Sequence, residues 1–141
     1  EGFYLSANPA LAKMYGFKTP QELIQSRKDI SADAYVEPNE RKTFIELIEK
    51  QGHVKGYEYA VKRKDGQVSW FYEDARVIRD NQGNTMYYEG FVVDITKRKQ
   101  AEDLIRENET LLKSYQMIAG LGSYILDIGT GNWKSSNRAS P

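Results

Sequence analysis

The 141-residue chain contains no cysteine. Disulfides, thiolate metal sites, cysteine nucleophiles and cysteinyl flavin adducts are therefore excluded. Its single histidine, His53, cannot alone build a zinc site or a Ser-His-Asp triad of the usual kind. Twenty basic and twenty acidic residues cancel, so no basic excess is available to neutralise phosphates, and nucleic acid is not an expected partner. No apolar run approaches the roughly 18 residues of a membrane span, and no signal-peptide pattern opens the chain. Membrane insertion of this segment is not expected, and a cytoplasmic location is. Catalytic patterns are also missing. There is no Gly-rich phosphate loop, Asp29, Asp33 and Glu40 lack metal-ligand spacing, and Gly120-Leu121-Gly122 reads as a turn. The segment itself is expected to be non-catalytic.

What is present suits one packed domain with an appendage: 40% hydrophobic residues, 28% charged residues and ten tyrosines. After a turn and a very short strand at the start, residues 8–17 read as a helix, with Asn8 as cap and Pro9 at the first helical position. Thr19 with Glu22 three residues on is a capping box for a second short helix. From Glu37-Pro38 a longer helix runs to about Gln51, its apolar Phe44, Ile45, Leu47 and Ile48 on one face. Gly52 stops it, and His53 falls in the connection that follows. Three β segments come next, at 54–63, 68–79 and 85–95, separated by the turn clusters Asp65-Gly66 and 80–84. Alternation turns Tyr57, Tyr59 and Val61 to one face of the first of these. Short helices followed by an antiparallel meander make an α+β plan.

From 97 to about 118 the pattern becomes one long polar helix, with Thr96 as its expected N-cap. Ala101, Leu104, Asn108, Leu111, Tyr115 and Ile118 are spaced 3, 4, 3, 4, 3. This is a coiled-coil seam of a little over two heptads with Asn108 at an a position, which favours a register-fixed pair of helices. The alternative is a helix lying on its own domain, with Ile105 and Leu112 widening the stripe. Further on, residues 131–139 repeat residues 2–10 at a constant offset of 129: Gly, an aromatic two places later, Ser, Asn and Ala recur. Residues 124–128 read as a strand and 129–132 as a hairpin turn into the repeated strand. Three segments result: a domain at 1–96, a linker helix at 97–118 and the start of a second copy at 119–141.

In combination these residues resemble the PAS domain with its C-terminal PAC segment, the sensory box. The carriers are Asn8-Pro9-Ala10 with Tyr15-Gly16-Phe17, Tyr57-Glu58 leading to Arg63-Lys64-Asp65-Gly66, then Trp70. Arg79-Asp80, Gly83, Glu89-Gly90 and Asp94-Ile95-Thr96 with Arg98-Lys99 complete the ordered set over 2–99. The resemblance implies a five-stranded antiparallel sheet, in the order 2-1-5-4-3, with short helices on one face and a small cavity beneath them. The family's first strand would precede residue 1. Such a sheet would leave an open slot, which residues 123–128 are expected to fill, within the chain or by exchange with a second copy.

In that frame Phe71, Glu73, Ala75, Val77, Tyr88, Gly90 and Val92 face inward with Tyr57, Tyr59 and Val61. The expected ligand pocket comprises Tyr57, Tyr59, Val61, Phe71, Glu73, Ala75, Tyr88, Val92 and Phe44. Glu73 among apolar neighbours needs a partner or a raised pKa: it would meet a cationic or hydrogen-bonding small molecule, or else pair with Arg63 or lie at a wet rim. Trp70, Tyr72, Tyr87, Phe91, Val93 and Ile95 would line the opposite face, under a helix or a second subunit. Asp94, Ile95 and Thr96 would couple the sheet to the long helix. Haem is disfavoured because His53 is placed in solvent, non-covalent flavin is not excluded, and the cofactor stays unassigned. The resemblance thus implies a small-ligand sensor and homodimerisation module, part of a bacterial two-component histidine kinase or of a cyclic-di-GMP synthase. The rival reading is a ligand-free dimerisation and protein-interaction module.

Overall fold

A computed structural model describes residues 2–119, 124–126 and 133–135, and the chain falls into two units, 1–96 and 97–141. In the first unit, local capping chemistry starts each short helix. Asn8 accepts from the Leu11 N–H at 2.9 Å and opens α1 (Pro9–Tyr15). Thr19 accepts from the Glu22 N–H at 3.2 Å and opens α2 (Pro20–Ser26), while Glu22 reaches back to the Lys18 N–H at 3.1 Å. The reciprocal bond thus lands one residue before the cap. A one-turn helix, α3 (Ile30–Asp33), is additional to the expected elements, and Asp29 caps it through the Ser31 N–H at 3.0 Å. The longer α4 (Pro38–Gln51) buries Phe44 and Ile48 and half-buries Ile45 and Leu47.

The sheet is an antiparallel meander, β1 (His53–Lys62), β2 (Val68–Arg79) and β3 (Thr85–Asp94), in the order β1-β2-β3. Each hairpin carries a three-residue loop: the Arg63 N–H bonds the Gln67 carbonyl at 2.8 Å and the Asp80 N–H bonds the Asn84 carbonyl at 2.9 Å. The last loop residue, Gly66 or Gly83, sits at φ +81° or +84°, which a side chain would resist. A bulge between Val54 and Tyr57 disturbs β1, and the Asp74 carboxylate accepts the Gly56 N–H there at 2.7 Å. The outer edge of β1 is covered. Tyr35 bridges Val61, the Val36 N–H bonds Ala60 and the Lys62 N–H bonds Ala34.

Three expectations are corrected. Among the described residues the sheet has three strands, not five, and the opening residues 2–7 form no ladder. A strand exists only through the neighbour that completes its hydrogen bonds, and residues 2–7 have no such neighbour among the described residues. His53 begins β1, exposed, rather than lying in a connection.

In the second unit the long helix is α5 (Thr96–Ala119). Ion pairs of Glu102 with Arg98 (3.7 Å) and Lys99 (4.0 Å), and of Asp103 with Arg106 (3.6 Å), lace its surface. Ala101, Leu104, Asn108, Leu111 and Tyr115 all lie exposed on it. Beyond it, β4 (Tyr124–Leu126) pairs antiparallel with β5 (Trp133–Ser135), in a ladder of their own. Residues 123, 127 and 128 of the expected strand lie outside the described residues.

The inward face of the sheet meets the helices through two clusters. Tyr15, Phe17, Leu23, Tyr35, Tyr59, Val61 and Phe71 form one; Phe44, Ile48, Val54 and Ala75 form the other, and Tyr57 packs against both. At Gly90 the strands approach too closely for a side chain, since a Cβ there would lie 2.3 Å from the Asp74 carbonyl oxygen and 2.9 Å from the Ala75 Cβ. Gly90→Ala should therefore push β3 off β2 and cost about 1–3 kcal/mol. Urea denaturation should show a lowered midpoint, and an unchanged midpoint would contradict this packing.

Candidate functional site

The pairing register gathers the expected pocket residues. Tyr57 stands opposite Glu73 and Tyr59 opposite Phe71, while on the other side of β2 Val92 faces Glu73 and Tyr88 faces Val77. All of these turn toward the helices, as alternation along each strand requires. Phe44 comes in from α4, its ring 5.4 Å from that of Tyr57.

Rings fill much of this space. Tyr35 stacks on Tyr59 at 5.0 Å, Tyr15 meets Phe71 edge-on at 5.1 Å, and Tyr59 lies 5.8 Å from Tyr57 and 6.2 Å from Phe71. Tyr4 joins through its hydroxyl, 3.1 Å from that of Tyr15. Offset and edge-on contacts of this kind add to the burial of each ring. The sequence pointed to Tyr57 and Tyr59 but not to Tyr4, Tyr15 or Tyr35 as parts of this cluster.

Three tyrosine hydroxyls on the inner face each donate to a carboxylate. The Tyr59 hydroxyl donates to Glu73 Oε2 at 2.6 Å, that of Tyr57 to Glu40 Oε2 at 2.6 Å, and that of Tyr88 to Glu49 Oε1 at 2.6 Å. Glu49 also accepts from Thr85 at 2.8 Å and Arg79 at 2.9 Å. The hydrogen bond from Tyr88, then those from Thr85 and Arg79, hold the Glu49 carboxyl below its usual value. Burial and that same carboxylate push the Tyr88 phenol up to about 12. Burial raises Tyr59, Tyr15, Tyr35 and Tyr57 as well, so these phenols keep their protons, and those of Tyr59 and Tyr57 act as donors.

Glu73 differs from the other two carboxylates. Burial raises its pKa, and the Tyr59 hydrogen bond and the charge of Arg41 pull against that rise. The expected partner Arg63 is elsewhere, with its guanidinium beside Gly16. Arg41 is the cation whose charge acts on Glu73: it comes from α4 over the Phe44 ring at 5.5 Å, and its buried Nε has no hydrogen-bond partner. The signal for it was present in the spacing. Arg41, Phe44 and Ile48 share one helical face, and a cation in an otherwise buried stripe calls for an anion opposite it.

The joint at the end of β3 is tied to the middle strand. The Ile95 N–H bonds the Trp70 carbonyl at 2.8 Å and the Trp70 N–H bonds Thr96 Oγ1 at 3.0 Å. Asp94 accepts the Thr96 N–H at 2.9 Å and its hydroxyl as well. This corrects the expectation of Thr96 as N-cap. Thr96 is the first helical residue, and its hydroxyl oxygen serves β2 instead of the helix because Trp70 presents an N–H to it. His53 lies with Val54 and Lys55 at a cleft of about 480 Å³ bounded by Asp74, Arg76, Glu89 and Phe91. Among the described residues no group of three or more His, Asp or Glu could hold a metal ion, and no helix is long and apolar enough to cross a membrane.

The sequence profile of the PAS fold matches residues 4–92. The chain belongs to the PAS fold family. This PAS domain is 35% identical over 69 residues to the methyl sulfide methyltransferase-associated sensor of Methanosarcina acetivorans, a match covering 49% of the chain and 7% of that protein. The chain thus spans a small fraction of the relative's length. Among solved structures, a sensory box histidine kinase/response regulator from Burkholderia thailandensis superposes with a TM-score of 0.59 at 20% identity, over 76% of this chain and 79% of that one. An RNA-binding light-oxygen-voltage receptor superposes with a TM-score of 0.55 at 21% identity, over 77% of this chain and 30% of that one. Both likenesses are of fold.

The raised pKa of Glu73 has a checkable consequence. The folded state binds this proton more tightly than the unfolded state does. Its contribution therefore favours folding in acid and is lost as pH rises through the raised value. Glu73→Gln should gain on the wild type as pH rises from about 4 to about 8, at about 1.4 kcal/mol for each tenfold change in proton affinity. Urea unfolding across that range checks it, and a pH-independent difference between the two proteins would contradict it.

Proposed function

We propose that this PAS domain is a cytoplasmic sensory module of a larger signalling protein, in which the state of the inner face is passed along β2 to α5. The observation that carries this reading is that one strand holds both ends. Phe71 and Glu73 of β2 face the aromatic interior, and the backbone of Trp70, next to Phe71, holds Ile95 and Thr96 at the start of the helix. A ligand that binds the two states of the interior with different affinity shifts the joint by that difference and no more. The expected pocket residues Tyr57, Tyr59, Val61, Phe71, Glu73, Ala75, Tyr88, Val92 and Phe44 are its lining. Glu73, backed by Tyr59, would take a cationic or hydrogen-bond-donating group of a small molecule. Asp94, Ile95 and Thr96 are the coupling residues. A histidine kinase is the first candidate for the output, consistent with the Burkholderia likeness in fold, and a cyclic-di-GMP synthase the second.

The ring packing favours a second reading. Tyr15, Tyr35, Tyr57, Tyr59 and Phe71 already touch one another, as in a ligand-free module whose work is dimerisation and spacing. Native mass spectrometry of freshly purified protein, with an absorption spectrum and release by denaturation, separates the two. A sensor retains a small molecule that Glu73→Leu loses; identical apo masses for both proteins favour the interaction module.

In either reading α5 pairs with a second copy along Ala101, Leu104, Asn108, Leu111 and Tyr115. Asn108→Leu should then tighten association by about tenfold or more, since an a-position Asn costs stability. Sedimentation velocity checks this, and an unchanged dissociation constant would contradict the seam.

A further inference from the structure

Charge is balanced over the whole chain, but not at one end of the first unit. There the β1–β2 hairpin loop packs against the turn that follows α1. The Lys64 N–H bonds the Tyr15 carbonyl at 2.8 Å, and the side chains of Arg63 and Lys64 lie against Gly16. Lys64 Nζ stands 5.5 Å from the centre of the Phe17 ring and the Arg27 guanidinium 5.6 Å from it. Arg27 also donates to the Lys62 carbonyl at 2.5 Å and to that of Asp33. Lys18 and Lys62 adjoin these residues in sequence, and both are exposed. Five cations, Lys18, Arg27, Lys62, Arg63 and Lys64, are thus gathered around one turn. Ring and carbonyl contacts fix Arg27 before any partner arrives.

Little in the chain answers this charge. Of the five, only Lys64 forms an ion pair among the described residues, with Glu22 at 3.9 Å. The neighbouring carboxylates are engaged with backbone: Glu22 accepts the Lys18 N–H at 3.1 Å, Asp33 the Asp29 N–H at 3.0 Å and Asp65 the Gln67 N–H at 3.0 Å. The Nε atoms of Arg27 and Arg63 are buried with no hydrogen-bond partner.

The same surroundings select the occupant. The backbone N–H groups of the turn and loop are spent, Gly16 on Lys13, Phe17 on Ala12, Arg63 on Gln67, Lys64 on Tyr15 and Gly66 on Arg63. Without free amides there is no cradle for a single phosphate. The Phe17 ring is 7% exposed and offers no face on which a nucleic-acid base could stack. What remains is side-chain charge spread over a surface, which suits carboxylates spaced along a polypeptide. We propose that this end of the domain docks an acidic segment of a partner protein. The docking requires neither a ligand in the interior nor paired α5 helices, so it stands or falls separately from them.

Fluorescence anisotropy of a labelled oligoglutamate peptide, titrated with the full 141-residue chain, tests it. Lys18→Glu combined with Lys62→Glu changes two exposed side chains and leaves the backbone bonds of the turn in place. This double variant should weaken peptide binding by about tenfold or more. Lys42→Glu combined with Lys50→Glu, at exposed positions of α4, makes the same change in net charge. It should weaken binding by less than about threefold, through the overall field alone. Equal weakening by the two double variants overturns the proposal, as does a wild type that does not bind the peptide. Tighter wild-type binding of an oligouridine RNA probe than of the peptide also overturns it and assigns the patch to nucleic acid. Displacement of the peptide by inorganic phosphate at constant ionic strength overturns it in favour of a phosphate site.

Discussion

The hydrogen bond from the Tyr59 hydroxyl to Glu73 is the contact on which the inner face depends. It joins β1 to β2 where a carboxylate has been withdrawn from water, and an unpaired charge there would be costly. Tyr59 can donate because burial keeps its phenol protonated. It is held in position by the stacked ring of Tyr35 and the edges of Tyr57 and Phe71. The polar contact and the ring packing are one arrangement. The rings exclude water from Glu73, and Glu73 gives the ring cluster a fixed polar anchor.

That arrangement sits on β2, the strand with a neighbour on both sides. A displacement of Glu73 or Phe71 therefore has two exits, toward β1 and toward β3. The β3 exit leads to the joint, where Trp70 grips both Ile95 and Thr96. The proposed coupling needs only the two directional hydrogen bonds that Trp70 makes to Ile95 and to the Thr96 hydroxyl, with no long chain of side chains. The other two tyrosine–carboxylate pairs, Tyr57 with Glu40 and Tyr88 with Glu49, tie β1 and β3 to α4 and so fix the frame against which β2 would move.

Much of this was legible in the sequence because the chemistry is local. Asn8 and Thr19 announce helix starts, Asp65-Gly66 and Asp80 with Gly83 announce hairpins, alternation turned Tyr57, Tyr59 and Val61 inward, and the family frame carried that face on to Val92. The family too could be read from its ordered motifs, and the profile match over 4–92 shows it. What escaped was non-local. Arg41 as the cation near Glu73, in place of Arg63, depends on how α4 lies against the sheet. Thr96 looked like a cap because nothing in its own neighbourhood shows that Trp70, 26 residues earlier, competes for its oxygen. The strand count failed for a related reason: residues 3–5 have strand alternation, but a ladder is a property of two segments. α3 is a single turn, too short to leave a periodic signal.

β2 is proposed to link the aromatic interior to the start of α5. Amide hydrogen exchange at Trp70 and Ile95 in Tyr59→Phe, which keeps the ring and removes only the donor to Glu73, tests it most directly. Both amides should exchange faster than in the wild type by about threefold or more, while the Gly52 amide, bonded to Ile48 at the end of α4, is unchanged. Unchanged exchange at Trp70 and Ile95, in a variant that remains folded, would contradict it.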